Sequence, residues 1–186
     1  KIEEIVEFID DVRVPFGIFT LVRNYMEENG TTHYRTVKFG DQERRVRDYY
    51  EPDHPDFYVL KIIDHIGLIS TETRDKKKLD LYESISVLSS DYLIKLRNNY
   101  NVIPVVVQQQ ASAQESVENK KANKLKPSLD GLGDNKTTQR DANVILGLFS
   151  PFRHEIPEYL GYDVRKFRDR IRFLEIIGGR EGGAGT

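Results

Sequence analysis

FYVLKIIDH, residues 57–65, is the strongest structural signal in the chain. Its first seven residues form a nearly continuous apolar run, which is typical of a strand buried on both faces of a parallel sheet. A second run, VIPVVV (102–107), follows a long helical pattern between Leu79 and Leu96. Because parallel neighbours need a crossover connection, usually a helix, the two runs and the pattern between them predict an α/β sheet.

The rest of the chain predicts further elements of one domain that covers residues 1–186. The runs NVILGLF (143–149) and RIRFLEII (170–177) are typical of strands. Between the second parallel strand and these runs, the sequence is polar and rich in lysine. It predicts a long mobile loop over residues 111–136.

A helix and a hairpin are predicted before the first parallel strand. Apolar residues recur every three or four positions from Phe16 to Met26, and Gly30 is expected to end this helix in a left-handed cap. The period then changes to two on either side of Gly40, which predicts a β-hairpin over 33–50. We interpret this hairpin as an insertion between the helix and the core strand.

The composition excludes several classes of protein. The 186 residues carry 28 Lys and Arg against 30 Asp and Glu, which argues against a polybasic nucleic-acid binder but allows a local basic loop. The absence of cysteine excludes disulfide scaffolds, thiolate zinc sites, iron–sulfur clusters and cysteine nucleophiles.

Neither a membrane span nor a secretory signal is recognisable in the sequence. No apolar run approaches the roughly 20 residues of a membrane span, and the first ten residues are acidic and amphipathic. We therefore expect a cytoplasmic protein without a membrane partner. The chain does not begin with Met, so we also expect it to belong to a longer gene product.

Polar residues follow both predicted parallel strands, at the edge where ligands bind in open α/β sheets. Asp64 ends the first strand, where an aspartate suits either a Mg²⁺ ion beside nucleotide phosphates or the cap of a turn. Gln108, Gln109 and Gln110 follow the second strand. An amide there can sense a γ-phosphate, although solvated polar residues are the commoner explanation of such a run. The residues alone leave both alternatives open.

Four segments, taken in order, resemble the ATPase domain of DnaB-type replicative helicases of phage or bacterial style. They are YVLKIIDHIGLIS (58–70), NNYNVIPVVVQQQ (98–110), TTQRDANVILGLF (137–149) and FLEIIGGREGGAGT (173–186). The resemblance covers most of the chain except the hairpin at 33–50. It implies a RecA-like, mostly parallel sheet flanked by helices. It also implies that the chain is part of a helicase that uses nucleoside triphosphate to move along single-stranded DNA.

The resemblance implies roles for individual residues. Asp64 would match the Walker B aspartate that holds Mg²⁺, usually through water. Gln110 would match the glutamine that senses the γ-phosphate and couples it to the DNA-binding loops, with Gln109 as the neighbouring candidate. Arg180 would match the arginine finger, which acts on the nucleotide of the next subunit. ATP, or another nucleoside triphosphate, and Mg²⁺ are the implied substrate and cofactor.

The resemblance also implies partners. The loop at 111–136 would face the channel of a hexameric ring and hold single-stranded DNA there. The lysines that would contact its phosphates are Lys120, Lys121, Lys124, Lys126 and Lys136. A solvated charge run is the alternative explanation for these lysines, and the absence of aromatic residues among them does not support base stacking. A primase or a helicase loader is a further expected partner.

Several features depart from the pattern of the family. No GxxxxGKS or GxxxxGKT sequence occurs, so the N-terminal part with the Walker A phosphate-binding loop and its lysine is missing. The chain alone is therefore expected not to hydrolyse ATP. The catalytic glutamate of the family has no counterpart that we can assign. Gly178 and Gly133 stand where the family has a lysine and an arginine.

Other functions stay open from the sequence. A non-catalytic RecA-like module for DNA binding or assembly is one alternative, and a recombinase-type ATPase that coats DNA as a filament is another. A metal-dependent nuclease at Asp64 is more remote. Asp53-His54-Pro55-Asp56 offers metal ligands, but their spacing is poor for a tetrahedral site and an ordinary loop explains them.

Overall fold

The chain divides into two compact units, Lys1–Val107 and Gln108–Thr186. The structure, a computed structural model, describes residues 6–11, 13–111, 116, 119, 125–132 and 135–180. Helices and short strands occur in both units, in agreement with the expected α/β class. The expectation of one RecA-like domain over 1–186 stays a prediction.

The first unit contains three helices and six strands among its described residues. They are α1 (Pro15–Glu28), β1 (Gly30–Phe39), β2 (Gln42–Pro52), β3 (Leu60–Ile63), β4 (Thr73–Arg74), β5 (Lys77–Lys78), α2 (Leu81–Val87), α3 (Ile94–Tyr100) and β6 (Ile103–Val106). One turn of π-helix, Leu88–Leu93, joins α2 to α3 without a break in the helical path. The long helix predicted between the two apolar runs is therefore present.

Strands β3 and β6 are parallel neighbours, as the two apolar runs predict. Leu60 lies opposite Ile103, and Ile63 lies opposite Val106. The prediction that the β3 strand is buried on both faces is wrong, because Leu60 and Ile62 are each 57% exposed. A continuous apolar run identifies a strand, but it does not specify which of the two faces is covered.

The core of the first unit lies on the other face of this pair. Helix α1 contributes Ile18, Val22 and Met26 to it, at the spacing of one helix face. The helical crossover contributes Leu88 and Leu96, both of which are fully buried. This packing holds the carboxyl ends of β3 and β6 in place.

Gly30 does not act as the left-handed cap that its place after the helix predicts. The cap of α1 is Asn29, with φ −117° and ψ 27°, and Gly30 is already the first residue of β1. A side chain at residue 30 would place its Cβ 2.2 Å from the Tyr50 hydroxyl oxygen and 2.6 Å from the Glu51 carbonyl oxygen. Glycine is needed there because two chain segments approach closely.

A β-hairpin occupies residues 30–52, and it is therefore wider than the predicted 33–50. Its strands β1 and β2 pair antiparallel around a turn that begins at Gly40, whose φ is +61°. Such a φ suits glycine, which explains why the turn of the hairpin lies at Gly40. The buried Tyr50 of β2 donates a hydrogen bond to the Met26 carbonyl (2.8 Å), which ties the hairpin to α1.

Glu72 is a buried carboxylate that organises the start of α1. It accepts a hydrogen bond from the Phe16 backbone N–H (2.9 Å) and another from the Tyr92 hydroxyl (2.8 Å). The N-cap residue, Val14, has no side chain that can accept a bond. Glu72 therefore supplies, from a distant part of the chain, an acceptor for one of the free N–H groups of the first turn.

The Tyr92–Glu72 contact makes the free energy of unfolding fall at alkaline pH. Burial, together with the bond to Glu72, raises the pKa of Tyr92 from 10.0 to about 12. The folded state therefore keeps a proton that the unfolded state loses near pH 10. The stabilisation is fully present below pH ~10 and is lost as the pH rises toward ~12. We expect the free energy of unfolding of Tyr92→Phe to fall less over this pH range than that of the wild type. Tyr58→Phe, at an exposed tyrosine, should show the same fall as the wild type. Urea unfolding at several pH values measures both.

The second unit, as described, has two short helices and four strands. They are α4 (Thr137–Asp141), β7 (Val144–Phe149), β8 (Glu158–Tyr159), β9 (Tyr162–Asp163), α5 (Val164–Phe167) and β10 (Phe173–Gly179). Strands β7 and β10 correspond to the two predicted runs, but they pair antiparallel. A parallel pair needs a crossover of a dozen residues or more, usually a helix, and the segment between these strands forms the β8–β9 pair, two short 3-10 helices and the four-residue α5 instead of a crossover helix.

Candidate nucleotide and DNA sites

Asp64 lies directly after β3, at the carboxyl end of the parallel pair. The Val107 N–H donates to the Ile63 carbonyl (2.9 Å), and the Ile66 N–H donates to the Val107 carbonyl (3.0 Å). These bonds extend the pairing beyond the strand ends and fix the backbone on both sides of Asp64. The Asp64 side chain is exposed, so a ligand can reach its carboxylate.

A cleft of about 220 Å³ opens beside Asp64 within the first unit. Its polar lining comes from Asp10, Arg13, Lys61, Asp64 and His65, and the remainder is apolar. Burial lowers the pKa of the Lys61 ammonium, and the charge of Glu7 opposes that effect. The cleft therefore brings two carboxylates and two cationic side chains to the end of β3.

His65 turns toward the protein as well as the cleft. Its Nδ1 is buried and has no hydrogen-bond partner among the described residues. The side chain as a whole is half-buried.

The donors at this strand end suit Mg²⁺ better than a transition metal. Mg²⁺ prefers hard oxygen ligands and keeps several waters, so that one or two carboxylates and substrate phosphates complete its shell. In the described part of the chain, no group of three or more His, Cys, Asp or Glu residues is placed to hold a metal. An exposed Asp64 carboxylate beside an open cleft thus fits an ion held largely through water.

The three glutamines after β6 differ in their surroundings within the second unit. Gln109 and Gln110 are exposed, and the Gln110 backbone pairs with Leu132 in an isolated antiparallel bridge. Gln108 is half-buried, and its side-chain oxygen accepts a hydrogen bond from the Thr138 hydroxyl (2.8 Å). The glutamine that the side-chain network holds is therefore Gln108, to which the sequence interpretation assigned no role.

The Gln108 contact belongs to a small polar network at the start of α4. Asn135 is 4% exposed, and its side-chain oxygen accepts from the Thr137 N–H (2.9 Å). The Thr138 hydroxyl lies 3.2 Å from the Asn135 carbonyl oxygen. These residues connect the segment after β6 to α4 across 30 residues of sequence, and no local pattern indicates such a contact.

Arg180 follows β10 and is held against α4. Its backbone N–H donates to the Asn143 carbonyl (3.0 Å), and its guanidinium donates to the Arg140 carbonyl (3.0 Å). The close approach depends on Gly179, because a Cβ there would lie 2.8 Å from the Asn143 carbonyl oxygen. Arg180 is exposed, and its guanidinium has a single hydrogen-bond partner among the described residues, the Arg140 carbonyl.

The lysines of the predicted DNA-facing loop fall into three groups. Lys120, Lys121 and Lys124 lie outside the described residues, as does Gly133. The Lys126 ammonium pairs with the Glu175 carboxylate (3.1 Å). Lys136 is exposed at the start of α4.

Glu175 has a second partner besides Lys126. The Tyr159 hydroxyl donates a short hydrogen bond to the Glu175 carboxylate. This bond and then the Lys126 ammonium lower the pKa of Glu175, although burial opposes them. Glu175 therefore remains charged at neutral pH and neutralises Lys126 locally.

A solved structure shares the fold of this chain. It is the structure of a DnaB-like replicative helicase and its interactions with primase, and it matches with a TM-score of 0.63 and 17% sequence identity. The chain folds like part of this DnaB-like helicase. The match covers 96% of this chain and 33% of the helicase chain, so this chain spans about a third of the length of that protein. The sequence matches no protein-family model, and no curated protein matches it significantly.

The expected relationship to DnaB-like helicases is confirmed at the level of fold. The described helices include none that is both long enough and apolar enough to cross a bilayer. The roles of Asp64, Gln110 and Arg180, and the involvement of nucleotide, Mg²⁺ and DNA, stay predictions.

Proposed function

We propose that the chain is the C-terminal part of the RecA-like motor domain of a replicative DNA helicase. The observation that carries the proposal is the exposed Asp64 at the carboxyl end of a parallel strand pair, in a chain that folds like part of a DnaB-like helicase. Ligands bind at this edge in open α/β folds. The parent protein hydrolyses nucleoside triphosphate and moves along single-stranded DNA.

In this proposal, each side chain has a separate task. Asp64 would hold Mg²⁺ through water, and the ion would supply neutralisation of the charge on the nucleotide phosphates. The Gln110 side-chain N–H donates a hydrogen bond to the γ-phosphate, and this contact couples the presence of the γ-phosphate to the DNA-binding loops. Arg180 reaches the nucleotide of the next subunit and stabilises charge on the transferred phosphoryl group. None of these groups supplies the phosphate-binding loop, so the chain alone binds nucleotide poorly.

Lys136 and Lys126 are expected to contribute differently to DNA binding. We expect Lys136→Gln to lower the slope of log K against log salt concentration by about 0.7 for single-stranded DNA, because one phosphate contact is lost. Lys126→Gln removes the same charge, yet it is expected to have a smaller effect because Glu175 already pairs with Lys126. Anisotropy titrations with an oligonucleotide at several salt concentrations measure both slopes. Equal slopes for the two variants would contradict this assignment.

The proposed partners follow from the same assignment. A closed ring of six copies would let Arg180 of one copy meet the nucleotide of the next. The solved structure that shares this fold is that of a DnaB-like replicative helicase and its interactions with primase. We propose a primase as a partner here too. A helicase loader is the other proposed partner.

The gene upstream of Lys1 provides the first test of this function. We expect about 100 or more preceding codons that encode a strand followed by GxxxxGKS or GxxxxGKT. The encoded polypeptide should then hydrolyse ATP with Mg²⁺, respond to single-stranded DNA and unwind a forked duplex. A start codon at or just before Lys1 would exclude the motor function for this protein.

A second candidate function is a non-catalytic RecA-like module that binds DNA or supports assembly. A start codon at or just before Lys1 would favour it, because such a protein would lack the phosphate-binding loop. A recombinase-type filament is the further alternative. Electron microscopy with nucleotide and DNA separates it from the helicase, because a filament is open and helical whereas a helicase ring is closed.

A further inference from the structure

The hairpin β1–β2 has one face on which aromatic and basic side chains alternate. Residues that pair directly across an antiparallel ladder point to the same side, and so do alternate residues along a strand. The pairs Tyr34–Arg47, Thr36–Arg45 and Lys38–Glu43 therefore share one face, which we call the Tyr34 face.

Cation–π contacts order the side chains of the Tyr34 face. The Arg47 guanidinium lies 3.8 Å from the centre of the Tyr100 ring, and it donates to the Thr32 hydroxyl (2.7 Å). Farther from the core, the Arg45 guanidinium lies 4.3 Å from the centre of the Tyr34 ring. The base of the face is thereby packed against the first unit, while Tyr34 and Arg45 project from it in a fixed arrangement.

The projecting part of the face is exposed and positively charged. Tyr34 is 52% exposed, and Arg45 and Lys38 are exposed as well. The face carries three cations against one carboxylate, that of Glu43, which lies 3.8 Å from the Lys38 ammonium.

The opposite face of the hairpin is different in its charge and its contacts. Arg35 pairs with Asp48 (3.3 Å), and His33 bonds to the Glu51 carboxylate (2.8 Å). His33 also stacks on Tyr49 with 4.4 Å between ring centres. On that face, Asp48 engages Arg35, and His33 and Tyr49 engage each other, whereas Phe39 is 64% exposed and Arg44 is exposed without a cation–π contact to a neighbouring ring in the described part of the chain.

We infer that the Tyr34 face binds single-stranded nucleic acid. An exposed aromatic ring offers a stacking surface to a base, and neighbouring cations offer contacts to the phosphates on either side of it. An acidic peptide would use the cations and leave the ring unused, so the alternation of ring and charge favours nucleic acid. Arg45 serves both needs, since it holds the Tyr34 ring from one side and keeps its charge accessible.

Matched variants on the two faces test the inference. The probe is a fluorescently labelled oligo(dT), titrated with the full 186-residue chain at several salt concentrations. We expect Tyr34→Ala to weaken the affinity for oligo(dT) roughly five- to tenfold, because this variant loses the aromatic stacking surface. Tyr34→Phe keeps the ring and should bind with wild-type affinity. Arg45→Gln should lower the salt slope by about 0.7. The controls on the opposite face, Tyr49→Ala and Arg44→Gln, make the same chemical changes and should leave both quantities near wild type.

Two results would overturn the inference. If Arg44→Gln and Arg45→Gln lower the salt slope equally, the hairpin contributes general charge and no binding face. If Tyr34→Ala and Tyr34→Phe bind like wild type while poly-glutamate competes as well as the oligonucleotide, the face is a site for acidic polymers. Circular dichroism of each variant confirms that the hairpin is folded before the titrations are compared.

The inference does not rest on the proposed motor function, and different results would contradict the two proposals. A lower salt slope in the Lys136→Gln variant with no change in the Tyr34 and Arg45 variants would support the loop proposal and overturn this one. The reverse pattern would support the hairpin as a binding face and remove the loop as the main DNA contact.

Discussion

Replacing Arg180 with alanine is expected to lower nucleoside triphosphate hydrolysis by the assembled motor by about 10³-fold or more. In the proposed function, the guanidinium stabilises charge on the phosphoryl group at the next subunit, and an arginine in that role contributes about 10³ to 10⁵ in rate. Nucleotide affinity should change much less, since the other contacts to the bound nucleotide remain. A coupled assay of phosphate release, together with equilibrium binding of a fluorescent nucleotide, measures the two effects.

The position of Arg180 explains why a conservative replacement should also fail. Its backbone is bonded to Asn143 and its guanidinium to the Arg140 carbonyl, so the side chain starts from a defined direction. A lysine keeps the charge but lacks the planar fork that can bond to this carbonyl and a phosphoryl group at once. We therefore expect Arg180→Lys to stay well below wild-type activity. Arg170→Ala, at another exposed arginine of the second unit, should remain near wild type.

A mixing experiment tests whether Arg180 acts on a neighbouring subunit. Arg180→Ala and Asp64→Asn should each be inactive as homogeneous assemblies. In a mixture, an Asp64→Asn subunit supplies an intact Arg180 to an Arg180→Ala subunit with an intact Asp64. Partial recovery of hydrolysis is therefore expected. No recovery, combined with near-normal activity of Arg180→Ala, would show that Arg180 is an ordinary residue of the chain end.

The features that the sequence predicted well are those with a strong local cause. The parallel pair β3–β6 follows from two apolar runs that flank a helical pattern, because parallel neighbours are joined by a crossover that is usually a helix. The hairpin follows from period-two segments around Gly40, whose positive φ the turn requires. In both cases neighbouring residues carry the decisive information.

The features that the sequence did not predict depend on distant residues. Lys126 and Glu175 are 49 positions apart, and nothing near either residue indicates that they pair. The same holds for Gln108 and Thr138, which are 30 positions apart. The resemblance directed attention to Gln109 and Gln110 by motif position, whereas side-chain packing engages Gln108. Candidate residues could be selected from sequence, but their partners required the fold.

The exposure of one apolar face of β3–β6 also could not be predicted from the sequence. A run such as Leu60–Ile63 has the same composition whether one face or both faces are covered. Periodicity therefore indicates a strand and does not settle its burial. The antiparallel pairing of β7 with β10 is similar, because the decisive feature is the shortness of the helical segments between them.

Gly30→Ala is expected to destabilise the fold by about 2–4 kcal/mol, which combines the usual cost of overpacking with the loss of a buried hydrogen bond. The added methyl group would lie 2.2 Å from the Tyr50 hydroxyl oxygen and 2.5 Å from the ring carbon that bears it. Tyr50 cannot move away freely, since it is 6% exposed and its hydroxyl bonds to the Met26 carbonyl. The Glu51 carbonyl oxygen, at 2.6 Å, belongs to the backbone of β2 and can shift only with the whole strand. Urea unfolding followed by circular dichroism measures the change.

The matched control for this prediction is Gly67→Ala. A Cβ at residue 67 would meet the His65 ring at 3.6 Å, which is an ordinary van der Waals contact. That variant is expected to lie within about 1 kcal/mol of wild type, and it can even be slightly more stable because the unfolded chain loses freedom. Combining Gly30→Ala with Tyr50→Phe removes the atom of closest contact, so the two changes together should cost less than the sum of their separate costs. If Gly30→Ala and Gly67→Ala unfold at the same urea concentration, the close approach of β2 to residue 30 does not restrict this position to glycine.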